Sequence, residues 1–324
     1  MPDSPHFAIQ RLAEGVYAAI AAEAGAAVAN AGILDLGDRT LVFDTCMTPQ
    51  AARDLLRMAQ ELTGREPEIV FNSHYHNDHM WGNQVFDPRA QIFATRRTLE
   101  LMQTEGAEEI HWASETAAKS LAENRMRLEG ATDERERRDL GVWLAYFQAL
   151  VDNMPGLDVR LPDVTFDDRL TITGSARTVE FREFKNAHTG SDTVMLLPQD
   201  GIVFAADLLF VDSHPYLAEC DVRQTIQALD ALSATGAKVF VPGHGPVGSA
   251  ADLSLNVDYI ETCLEAAQRL AGDGEVTPER ARQEPIPEKF SSWTLRRFFA
   301  VNLQVLSKKY AGGAGSHEPG GKDR

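Results

Sequence analysis

The rhythm of apolar residues changes along the chain, and each change predicts a different kind of element. From Phe7 to Thr45, short apolar runs (FAIQRL, VYAAIA, AVANAGILDL, TLVFDT) alternate with turn residues, as β-strands do. Pro49 then opens QAARDLLRMAQELTG, whose spacing is helical and which Gly64 closes, and the strand EIVFNS follows. Strand, helix, strand in that order predicts a βαβ unit with a site at a strand's C-terminal end.

From about Arg96 to Asp152 the pattern is charged, rich in Ala, Glu, Arg and Leu, and free of proline. It predicts two or three amphipathic helices, the last being LGVWLAYFQALVDNM, ended by Pro155 and Gly156. Strands return in VTF, LTIT, RTVEFREF, TVMLL and IVFAA, with QDG as a hairpin-like turn between the last two. A helix near Arg223–Ser233 precedes the strand KVFVP, and helices fill most of the remainder. The expectation is one α/β domain over 1–310 with a helical insert at about 96–152. The tail 311–324 has the composition of a disordered segment.

Charge alters this picture in one respect. With 31 Lys and Arg against 48 Asp and Glu, the net charge is −17, which argues against nucleic acid or an anionic membrane surface as a partner and for a small-molecule substrate. Cys46, Cys220 and Cys263 are too few and too scattered for a disulfide framework or a cysteine zinc site. No apolar run approaches the roughly 18 residues of a membrane span, and MPDSPHFAIQ lacks the basic and apolar regions of a signal peptide. A cytoplasmic protein is expected.

The chemistry concentrates in Ser73-His74-Tyr75-His76-Asn77-Asp78-His79. In an extended loop, residues i and i+2 share a face, so His74 and His76 can address one ion while Asp78 and His79 address another. Imidazole and carboxylate without thiolate suit zinc or iron. His188 in NAHTGSD, Asp207 in AADLLF and His244 in PGHGP each follow a predicted strand, where α/β folds place their sites. A carboxylate closing an apolar strand is costly to bury unless a cation compensates it.

This ordered set resembles the metallo-β-lactamase superfamily over about Phe7 to Gly248. The resemblance implies an αβ/βα four-layer sandwich of that fold, here with a helical insert. It implies that His74, His76 and His188 hold one metal and Asp78, His79 and His244 the other, with Asp207 bridging them. Two Zn²⁺ per chain are expected, with Fe or Mn as substitutes. Asp44, in VFDTC, matches the family's carboxylate behind the ligands, although Cys46 replaces the usual glycine. The implied activity is hydrolysis of an ester, thioester or lactone by a water ionised between the metals, with Asp78 and Asp207 the catalytic carboxylates.

Retention of Asp207 makes the chain look like the glyoxalase II-like branch rather than the true β-lactamases, which lack it. Quorum-quenching lactonases carry a tyrosine three residues beyond that aspartate, where this chain has Phe210. A β-lactamase, a phosphodiesterase and a mononuclear iron persulfide-dioxygenase-like oxidoreductase are the alternative readings. Tyr75, Phe210, His214 and Tyr216 are the candidate pocket residues. Trp112, Trp143, Tyr146 and Phe147 of the insert either roof the substrate or form a homodimer interface, and a helix near Phe290–Lys309, with Trp293, Phe298 and Phe299, can border the same cleft.

Overall fold

The computed structural model describes residues 1–310, so the tail at 311–324 lies outside the described residues. The first half runs β1 (Phe7–Ala13), β2 (Val16–Ala21), β3 (Ala31–Asp35), β4 (Thr40–Phe43), α1 (Pro49–Thr63), β5 (Pro67–Phe71), α2 (Asn77–Met80) and β6 (Gln91–Thr95). Helices α3 (Arg96–Gln103), α4 (Glu105–Gly130) and α5 (Glu134–Asn153) follow, and β7 (Val164–Phe166) completes a seven-stranded sheet in the order β1 to β7. Strands β1 to β4 pair antiparallel and β4 to β7 parallel, as the βαβ reading requires.

The second half runs β8 (Arg169–Thr173), β9 (Thr178–Phe184), β10 (Asp192–Leu197), β11 (Ile202–Phe210), α6 (Val222–Ser233), β12 (Val239–His244), α7 (Ala250–Gly272), α8 (Pro278–Gln283) and α9 (Arg297–Tyr310). Its five strands lie in the order β12-β11-β10-β9-β8. The inner faces of the two sheets meet in one core, where Phe43, Phe71, Phe181 and Phe204 pack with Leu34, Leu41 and Met195. Phe71 and Phe181 stack at 3.8 Å between centroids. On the outer face of the first sheet, Leu55 and Met58 of α1 cover Ile33, Val42 and Val70. On the outer face of the second, residues of α6, α7 and α9 form another core. Helix, sheet, sheet, helix is the expected four-layer arrangement.

Local chemistry accounts for the boundaries. Thr48 caps α1 by accepting the Ala51 N–H, Pro49 occupies its first turn, and Gly64 ends it in the left-handed region at φ 72°. The stretch AVANAGILDL yields strand only from Ala31, because Asn30 has another task. Its amide nitrogen donates to the carbonyls of Pro242 and Gly245, while its amide oxygen accepts the Ala21 N–H. That one side chain ties the first sheet to the loop at the end of β12.

Helix α3 touches β6 and β7, and its Leu101 and Met102 share one core with α4 and α5, which pair with each other and rest on Tyr75 and Trp81 near the His-rich segment. Ala113, Ala117 and Leu121 give α4 a narrow buried stripe, while Trp143 and Phe147 make α5 the heavily apolar partner.

Candidate metal centre

Strands β4 and β5 end side by side and position the first ligands. Asp44, immediately after β4, adopts φ 61°, an uncommon conformation for a non-glycine residue. Its carboxylate accepts the Ser73 N–H and the Ser73 hydroxyl, both at 2.8 Å, and faces His79 Nδ1 at 2.8 Å. Ser73 is thereby fixed just before His74, and the His79 ring is held with Nε2 free to face the centre. The extended-loop expectation holds for His74 and His76 but not beyond them. Asp78 and His79 lie in the four-residue helix α2, and the His79 ring comes back beside His74, 4.2 Å between centroids.

Ligand-type atoms gather in two groups, His74, His76, His188 with Asp207, and Asp78, His79 with His244. Around the first, His76 Nδ1 lies 3.1 Å from His74 Nε2 and 3.2 Å from His188 Nε2. Around the second, His244 Nε2 is 3.3 Å from Asp78 Oδ2, and His79 Nε2 is 3.8 Å from Asp78 Oδ1. Asp207 serves both. Its Oδ1 is 3.1 Å from His79 Nε2, and its Oδ2 is 3.3 Å from His188 Nε2 and 3.4 Å from His244 Nε2. The seven residues named from the sequence are therefore brought together by the fold.

Several observations test whether this set fits divalent cations. Donor atoms around a tetrahedral ion with bonds of about 2.0–2.1 Å sit about 3.3 Å apart, close to the separations here. His79 Nε2 and Asp207 Oδ1 are buried and, although 3.1 Å apart, are not aligned as a hydrogen bond and have no other partner, which a native interior tolerates where an ion completes the site. Gly243 is required beside them, since a Cβ there would come within 1.8 Å of Asp207 Oδ1. The donors are of the kind and spacing that divalent cations take.

The ionisation pattern agrees. Burial, with the nearby His79 and His76 charges, pushes the His74 imidazole well below its usual range; burial also lowers His188 to about 4, against the pull of Asp207. Burial disfavours a charged His244, yet Asp207 and Asp78 raise it to about 9. Burial likewise opposes ionisation of Asp207, but His244 and His79 hold it well below the carboxylate range. The nearby aspartates favour the protonated forms of His79 and His244 against the cost of burial. Cations would take the place of those protons and release them.

The ligands form the floor of a cavity of about 1070 Å³, bounded by the insert on one side and by residues 20–25 on the other. Tyr75, Phe210 and Tyr216 line it, as do Trp112, Trp143, Tyr146 and Phe147 of the insert. Phe210 stacks on His244 with centroids 4.9 Å apart. Phe298 of α9 also reaches the cavity, whereas Trp293 and Phe299 stay in the core behind the second sheet. His214 is a correction. Instead of facing the cavity it is fully buried, its Nδ1 2.9 Å from the Tyr259 hydroxyl, beside Trp293 and Phe299. The reason is local: the backbone at Asp212 turns through φ 52°, and the next residues pair with Thr294.

Two carboxylates were not foreseen. Glu219 Oε1 lies 3.3 Å from His76 Nε2, and its Oε2 accepts the Tyr75 hydroxyl at 2.5 Å. It thus holds the far side of a ring whose Nδ1 faces the first group. Asp192 accepts the N–H groups of His188 and Thr189 and the Thr189 hydroxyl, which fixes the His188 loop. For Asp192 a signal existed, the Thr-Gly-Ser-Asp run after His188. For Glu219 there was none, because LAEC has no pattern that points to a histidine 143 residues earlier.

Residues 24–244 match the family described as the metallo-beta-lactamase superfamily. No curated protein matches the sequence. Among solved structures, a metallo-beta-lactamase from Pontibacter korlensis is similar at 17% identity and TM-score 0.57, covering 79% of this chain and 99% of its own. DIM-1 metallo-beta-lactamase is similar at 17% identity and TM-score 0.56, over 80% of this chain and 98% of its own. FIM-1 from Pseudomonas aeruginosa, in a mono-zinc form, is similar at 16% identity and TM-score 0.55, over 81% and 97%.

Proposed function

The chain belongs to the metallo-β-lactamase superfamily, and on that premise we propose that it is a dinuclear metal-dependent hydrolase, glyoxalase II-like, acting on an ester, thioester or lactone. One observation carries the reading. Asp207 lies against both ligand groups at once, its Oδ2 beside His188 of the first and His244 of the second and its Oδ1 beside His79, so a single carboxylate would be shared between two cations. Zinc is the metal favoured by this nitrogen and oxygen donor set, and the mono-zinc form of the similar FIM-1 is in keeping with it.

When bound, such a pair of cations supplies Lewis-acid polarisation of a carbonyl and ionises water near neutral pH. The protein's own part is arrangement. His74, His76 and His188 would hold one ion, while Asp78, His79 and His244 would hold the other. Asp44, behind His79, fixes that ring's tautomer and aim. Asp78 is the carboxylate more open to the cavity, its side chain 12% exposed against 5% for Asp207, and it is placed to orient water and accept its proton. Phe210 supplies no hydroxyl; packed against His188 and His244, it keeps bulk water from the back of the site.

Elemental analysis of protein purified without chelator, run with a panel of esters, thioesters, lactones, β-lactams and phosphodiesters, tests the proposal. The expected result is close to two zinc ions per chain and turnover of an acyl substrate that Asp207→Ala abolishes. One iron per chain with oxygen uptake on a persulfide would replace the hydrolase with a dioxygenase.

A further inference from the structure

The cavity wall is specific about what it leaves unpaired. Rings run without a break from the insert to the metal ligands. Phe147 and Tyr146 lie 5.2 Å apart, Tyr146 and Trp143 5.7 Å, Trp143 and Phe298 5.4 Å, Phe298 and Tyr216 5.1 Å, and Tyr216 and His76 6.3 Å, between centroids. Such a surface receives a flat apolar body by stacking and burial, with little cost in side-chain ordering because the rings already brace one another.

Anions find few counterparts there. Among the described residues lining the cavity, the lysine and arginine positions reduce to Arg138 and Arg297, and both are engaged. Arg138 grips both carboxylate oxygens of Glu23, at 2.7 and 2.6 Å. Arg297 lies over the Trp143 ring at 4.4 Å and donates to the Asn124 amide oxygen at 2.6 Å. The α4 end of the cavity carries the exposed Glu105 and Glu108, for which no ion pair is found among the described residues, beside Glu109, whose carboxyl pKa is raised by burial to about 7. An anionic group on the part of the substrate remote from the metals would meet these carboxylates and the net −17 of the chain as well.

We infer that the non-reacting part of the substrate is a flat apolar group without carboxylate or phosphate, so that thioesters of anionic carriers are rejected. The inference rests on the hydrolase reading and names the substrate class of that site. It predicts a property of the wall, independent of the metals.

The test compares a naphthyl butyrate with the same ester carrying a carboxylate at the far end of the ring, using the metal-loaded protein. The expected kcat/KM favours the neutral ester by about tenfold or more at low salt, and the preference shrinks as salt rises. The double variant Glu105→Gln/Glu108→Gln alters two exposed side chains outside the ligand set and is expected to narrow the preference about threefold. Equal rates for the two esters, or a preference untouched by both salt and the double variant, would overturn the inference. If neither ester turns over, the hydrolase reading is what has failed. Quenching of tryptophan fluorescence by naphthol and by its ring carboxylate then decides the wall's preference directly, with tighter binding of the neutral compound expected and equal binding fatal.

Discussion

His76 shows how much one side chain can depend on another far away in sequence. Its Nδ1 faces the metal group while its Nε2 faces Glu219, which Tyr75 in turn fixes through a 2.5 Å hydrogen bond. A carboxylate on the far nitrogen sets the tautomer and orientation of a ligand imidazole and strengthens it as a donor. Glu219→Gln keeps the shape and loses the charge, so metal affinity at the three-histidine group is expected to fall about 10–100-fold. Chelator competition on wild type and variant measures this, and unchanged affinity would limit Glu219 to packing. His214, buried away from the site, makes a different prediction. Burial first, and then the charge of Arg296, hold its pKa at about 3, whereas in the unfolded chain the ring protonates near 6.5. Between those values only the unfolded chain binds the extra proton. The associated stability is complete above pH 6.5 and drains as pH falls, by roughly 2 kcal/mol at pH 5. Urea unfolding of wild type and His214→Gln at neutral pH and at pH 5 isolates the effect, because the other titrations are common to both proteins. The stability advantage of wild type over variant is expected to shrink by that amount.

At the scale of elements, local pattern and long-range pairing divide what the sequence could reveal. The strands of the second sheet were legible because each is a short apolar run between turn residues, and α1 because Pro49 and Gly64 mark its ends. Strand β6 was missed: its five residues, QIFAT, follow directly on a turn, and three apolar positions are too few to declare a period. Helix α2 was missed for a similar reason, since four residues span barely one helical turn. Of the site, the residues that announce themselves by type and spacing were readable, and the fold brings all seven together. What was not readable depends on partners brought together only by tertiary structure, as with Glu219 on His76, or on the direction of the chain after a strand, as with His214. The insert falls between these cases. Its helices were evident from composition, but that α5 turns Trp143 and Phe147 toward the cavity follows from packing on Tyr75, Trp81 and Phe298.

For the molecule as a whole, the question is how far the site supports the fold. The core between the sheets, built on Phe43, Phe71, Phe181 and Phe204, contains none of the seven ligand-type residues. The ligands sit along one edge of that core, on the segment after β5, helix α2, the loop after β9, strand β11 and the end of β12, so the sandwich is expected to survive without metal. The site nevertheless draws on the stability of the whole, because Asp44, Asp78 and Asp207 are buried close together and burial penalises each charge. Ions that bind the native chain and not the unfolded one stabilise it by mass action, about 2.7 kcal/mol per site at a hundredfold excess over the dissociation constant, and so about 5 kcal/mol for two independent sites. Chelation is therefore expected to lower Tm by several degrees and to leave the far-ultraviolet circular dichroism at room temperature unchanged, with zinc restoring the original melting curve. A dependence of Tm on free zinc that levels off after one equivalent would mean that only one group binds. A melting curve indifferent to chelator and zinc would mean that these seven side chains balance their charges with protons alone, since no ion that tightens the native state could be removed without cost.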